Sequence, residues 1–80
     1  MNIEDRVKDI ISELCGEENI ENSMRLQGEL SLDSLLMVTL LIEIEEKFEI
    51  TLDESDMNPF ELTTVQSVID LVRKYIDEEL

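Results

Sequence analysis

Three stretches of this chain space their apolar residues at three- and four-residue steps, and that rhythm confines it to packed helices. Ile3, Val7, Ile10, Ile11 and Leu14 form the first stripe, and Gly16 follows where a left-handed residue ends a helix. Val65, Val68, Ile69, Val72, Tyr75 and Ile76 form the last stripe. Thr63 or Thr64 supplies its N-cap, and Thr63 with Gln66 fits a T-x-x-Q capping box.

The central stretch, Leu35 to Phe48, has no Gly or Pro and is apolar almost all round in its first half. The alternation Ile42-Glu43-Ile44-Glu45 would allow a short strand, but the length of the run favours a helix. In that helix Leu35, Val38, Leu41 and Ile42 share one face, with Met37, Leu40, Ile44 and Phe48 flanking it. Residues 17–33 form a long polar connection pinned by Ile20, Met24, Leu26 and Leu30, and such loops are often functional. A second connection, 49–62, alternates Ile50 and Leu52 with polar residues, and Pro59 starts or interrupts a short helical turn. The expected fold class is all-α. Within it we expect a small four-helix bundle of three long helices and one short, in a single domain spanning 1–80, with a long loop between the first two helices.

Twenty-one acids against six bases leave a net charge of −15. Nucleic acid and anionic membrane surfaces are excluded as partners, because both need the Lys and Arg that this chain lacks. Basic patches on other proteins are favoured instead. Residues 33–61 hold nine of the acids against Lys47 alone, a net −8, which marks an interaction face. No signal peptide or membrane span is legible, and a lone Cys15 fits a reducing compartment, so a cytoplasmic monomer is expected.

Self-sufficient catalysis is not expected. There is no histidine to activate a nucleophile or bind a transition metal, and Cys15 lies near a helix C-terminus among acids, which disfavours a reactive thiolate. Asp53, Ser55, Asp56 and Asn58 alternate as in a calcium loop, but the sixth position is Asn58 instead of Gly and the twelfth is Thr64 instead of Glu. No metal site is expected there.

Ser34 stands at the junction of the polar loop and the most apolar helix. By position alone Asp33 or Ser34 is an N-cap, and a serine at a helix N-terminus also suits the anchoring of a phosphate group. Asp33-Ser34-Leu35 is followed by Val38, Leu40, Ile44, Glu45 and Phe48. This spacing resembles the acyl and peptidyl carrier protein family, whose pattern is D-S-L-x-x-V-x-L-x-x-x-[LI]-E-x-x-F. Leu30, the run Phe48-Glu49-Ile50-Thr51-Leu52 and Thr63-Thr64-Val65 extend the resemblance along most of the chain.

The resemblance implies a 4′-phosphopantetheine arm on Ser34, installed from coenzyme A by a phosphopantetheinyl transferase, with Asp33 helping to place the coenzyme. It implies cargo held as a thioester and delivered to acyl- or aminoacyl-loading ligases and acyl-processing enzymes of fatty-acid, polyketide or peptide-type biosynthesis. Leu35, Leu36, Val38 and Ile42 would form the apolar part of a docking face, with Glu45, Glu46 and Glu54 as its acidic rim. Fatty-acid-synthesis carriers usually have acids where this chain has Leu36 and Thr39, and a glycine where it has Ser31. Those departures, and the run 56–65, point to a specialised stand-alone carrier. An acidic interaction module without a prosthetic group is the alternative.

Overall fold

The computed structural model describes residues 2–58 and 61–76. Its elements are α1 (Ile3–Cys15), α2 (Ser34–Phe48), a 3-10 turn at Glu54–Asp56, and α3 (Val65–Tyr75). The described residues form no strand; one isolated bridge pairs Arg25 with Thr64. Pro59 lies outside the described residues.

Each helix begins and ends for a local reason. Asn2 caps α1 by accepting the Asp5 N–H at 2.8 Å, and Glu4 and Asp5 set negative charge at the positive end of the helix dipole. Gly16, at φ 78°, closes the helix with its N–H on the Ser12 carbonyl at 2.8 Å. Thr64 caps α3 and exchanges hydrogen bonds with Ser67: the Ser67 N–H donates to Thr64 Oγ1, and the Thr64 N–H donates to Ser67 Oγ. The capping box is therefore Thr64–Ser67, one residue beyond the Thr63–Gln66 pair expected from the pattern. Gln66 instead receives an Asn22 side-chain N–H at 2.7 Å and donates to Asp70 at 2.9 Å.

Helix α1 packs against both α2 and α3, and the core runs between them. On α2 the buried residues are Met37, Leu40, Leu41, Ile44 and Phe48. The expected facing needs correction for Leu41, which belongs to the core, whereas Leu35, Val38 and Ile42 point outward. An almost uniformly apolar sequence holds little rotational information of its own. Packing against α1 makes the choice. Arg6 fastens the two helices at one end: its guanidinium lies 4.3 Å from the Phe48 ring centroid and donates to the Lys47 carbonyl.

Residues 16–33 contain no helix, yet they are tied to the core at many points. Ile20, Leu26, Leu30 and Leu32 are buried, Leu26 and Leu32 completely, while Met24 is half-buried. The loop's carbonyls also serve α3. The Val65 N–H donates to Met24 O at 3.0 Å and the Gln66 N–H to Asn22 O at 2.9 Å, satisfying amides that a helix start leaves without intrahelical partners.

Tyr75 fixes the other connection. Its hydroxyl receives the Asp53 N–H at 2.8 Å and donates to Asp56, which also pairs with Lys74 at 2.6 Å. The 3-10 turn is thereby held against the end of α3.

Candidate functional site

Ser34 is the first residue of α2, and the loop before it is anchored residue by residue. The Leu26 N–H donates to Thr63 O at 3.0 Å, and the Leu32 N–H donates to Leu26 O at 2.9 Å. Leu30 reaches Arg25 O at 3.0 Å. Buried Leu32, absent from the sequence reading, fixes the chain two residues before Ser34. Between the two buried leucines Ser31 adopts φ 56°, the left-handed region, which shows why a glycine suits that position.

Asp33 is the N-cap. Its Oδ1 accepts the Leu36 N–H and its carbonyl accepts the Met37 N–H, each at 2.9 Å. This leaves the Ser34 hydroxyl exposed and, among the described residues, without a hydrogen-bond partner. The Ser34 and Leu35 amides are also free of protein partners among those residues, so two N–H groups and the helix dipole lie beside the hydroxyl. An open depression of about 330 Å³, lined by Gln27, Ser31, Leu32, Asp33 and Ser34, adjoins it.

Along the outer surface of α2, Leu35, Val38 and Ile42 are 75%, 43% and 47% exposed. Steps of three and four residues place them in one apolar stripe. Leu36 is half-buried and packs on the core. Thr39 donates its hydroxyl back to Leu35 O at 3.1 Å. The first charge after Asp33 is Glu43. Glu46 and Glu54 are exposed, whereas half-buried Glu45 accepts the Leu52 N–H at 2.9 Å and so braces the second connection.

The former calcium-loop candidates have other occupations. Asp53 accepts the N–H and hydroxyl of Ser55, which hold its carboxyl below the usual range. The Lys74 ammonium, and then the Tyr75 hydroxyl, hold the Asp56 carboxyl low. Tyr75 is pushed up by the same contact with Asp56. Among the described residues no group of three or more His, Cys, Asp or Glu is placed to hold a metal, and no helix is long and apolar enough to cross a membrane.

Among the described residues, then, a helical scaffold presents a free serine hydroxyl at a helix start. Comparison with known proteins assigns the class: residues 5–72 match the phosphopantetheine attachment site family. The chain is 38% identical over 77 residues to the acyl carrier protein of Buchnera aphidicola subsp. Baizongia pistaciae (strain Bp), covering 94% of this chain and 96% of that protein. Its fold is similar to that of a structure from Mycobacterium tuberculosis described as an acyl carrier protein, with TM-score 0.83, 24% identity, and coverage of 94% of this chain and 100% of that one. The chain belongs to the acyl carrier protein family. It is a carrier and not an enzyme, and its prosthetic group is 4′-phosphopantetheine.

Proposed function

We propose that Ser34 takes the phosphopantetheine arm and that the chain carries acyl or aminoacyl intermediates between biosynthetic enzymes. The observation carrying this reading is the Ser34 hydroxyl itself, exposed at the first position of α2 and, among the described residues, free of protein partners. The residues around it suit a phosphodiester: two free amides at the helix start can receive its oxygens, and Asp33 is already engaged with Leu36. When bound, the group supplies a terminal thiol that holds cargo as a thioester, and partner enzymes perform the reactions. The protein's contribution is to present the hydroxyl on an anchored loop and to offer a surface for docking.

That surface is α2 with the neighbouring turn: Leu35, Val38 and Ile42 outward, Leu36 at their margin, and Glu46 and Glu54 as acidic points. Glu45 contributes mainly by holding Leu52. Basic patches on a transferase, a loading ligase and acyl-processing enzymes meet the acids in brief, salt-sensitive encounters. The uncharged surface made by Leu36 and Thr39 beside the anchor supports a specialised carrier over the primary fatty-acid one. In this reading residues 1–80 act as one cytoplasmic, monomeric carrier domain. In the same reading the short fourth helix of the bundle falls within the second connection, 49–62.

Incubation with coenzyme A and a broad-specificity transferase is expected to add one phosphopantetheine mass to the protein and none to Ser34→Ala. No gain with several active transferases would overturn the assignment and favour an acidic interaction module.

A further inference from the structure

Gln27 lines the depression beside Ser34. Gln27 also lines a second hollow of about 140 Å³, together with Arg25, Gly28 and Thr63. The loop folds back on itself, with the Leu32 N–H on Leu26 O at 2.9 Å, so the residue after Arg25 adjoins the residue two before Ser34. Gln27 is thus common to the depression beside Ser34 and the hollow that Arg25 lines.

Among the described residues of a chain with 21 acids and six bases, neither Arg25 nor Lys47 has a partner for its charged group. Two acids of the loop each bond elsewhere through one oxygen. Glu29 Oε1 accepts the Arg25 backbone N–H at 3.0 Å, and Asp33 accepts from Leu36. The arginine's stem is also placed, since a Cβ at Gly28 would stand 3.7 Å from Arg25 Cβ and 3.8 Å from its Cδ. Its planar fork is suited to receive a carboxylate through two hydrogen bonds.

We propose that the depression and the hollow together receive the pantetheine arm, Gln27 bonding the arm's amides, and that Arg25 binds the free carboxylate of cargo derived from a dicarboxylic acid. The inference rests on Ser34 being the attachment residue. It directs acidic cargo toward the loop, away from the apolar stripe of α2. That separation leaves the stripe open for partner enzymes while the cargo is held.

The test uses isotopically labelled protein in three forms: the holo thiol, and holo protein loaded with valeryl or glutaryl groups from their coenzyme A thioesters by a broad transferase. The two acyl groups are equal in carbon count and differ in the terminal carboxylate. Glutaryl loading is expected to move the Arg25 Nε–Hε and Gln27 side-chain resonances, and valeryl loading to leave Arg25 unmoved. A labelled terminal carboxyl is expected to titrate lower on the native protein than on Arg25→Gln, where it behaves as in free glutaryl-coenzyme A. Equal movement for both acyl groups would overturn the proposal. So would movement already complete in the thiol form, which would assign the anion to the arm's phosphodiester. Failure of the Ser34 assignment is separately visible as absence of the mass gain, and it removes this proposal with it.

Discussion

Two residues that flank α2, Ser31 at φ 56° and Glu49 at φ 55° and ψ 47°, occupy the left-handed region without being glycine. For an L-residue that conformation costs about 1–2 kcal/mol, from the approach of Cβ to the following carbonyl. Glycine removes the clash but gives the unfolded chain more freedom, an opposing effect of about 0.4–1 kcal/mol. Glycine should therefore exceed alanine in stability by roughly 0.5–1 kcal/mol at each position. Alanine is the right reference because both replacements remove the same hydroxyl at Ser31 and the same charge at Glu49. The sites are separated by the 15 residues of α2, about 22 Å of helix, so the two gains should add. Urea unfolding followed by far-ultraviolet circular dichroism reads the difference directly. The double glycine variant should melt several degrees above the double alanine variant, at about 4–8 °C per kcal/mol for a domain of this size. Equal or lower stability of the glycine proteins would refute the reasoning at both sites.

Three other measurements probe separate parts of the structure. The single tyrosine permits an optical titration: the Tyr75 phenolate should appear above the ordinary 10.0, and Asp56→Asn should bring its midpoint down, whereas an unshifted native midpoint would deny the contact. The linked stability is complete below the unfolded tyrosine value and lost as pH rises through the folded one. For Asp56, whose folded value is lowered, it is present above 3.8 and lost as pH falls through the folded value. Leu26→Ala, in a completely buried loop position, should cost about 2–5 kcal/mol in urea unfolding, and a loss below about 1 kcal/mol would show the loop to be a loose cover. Because −8 of the charge lies in residues 33–61, moderate salt or magnesium should raise the melting temperature, and a flat response from low to moderate salt would contradict it.

Helices α1 and α3 were legible because their polar and apolar faces contrast, so the spacing alone defines the buried side. Helix α2 has little such contrast in residues 34–42, and the facing of Leu41 was decided by packing on α1. The capping register of α3 was ambiguous for a related reason: Thr63–Gln66 and Thr64–Ser67 both provide plausible side chains, and the loop carbonyls of Asn22 and Met24 decide between them. Ser34 was singled out by the spacing of a family pattern extending over α2, since its position at a helix start would equally mark an ordinary cap. What surrounds it was hidden. Leu32 is one more leucine in the sequence, and neither the left-handed Ser31 nor the Tyr75–Asp56 contact has a local signature.

The distribution of polarity along α2 has a consequence for traffic. Its start is greasy and its end acidic, so the helix is an arrow as well as a surface. A partner with a matching apolar notch and basic ledge can seat it in one heading; the reversed heading would set glutamates against the notch and leucine against the ledge. With the arm proposed on Ser34, at the greasy tail of that arrow, each visit seated in that heading would bring it to the same side of the host. On the proposed docking, a single helix would encode an address and an approach bearing, without requiring a large or lasting interface.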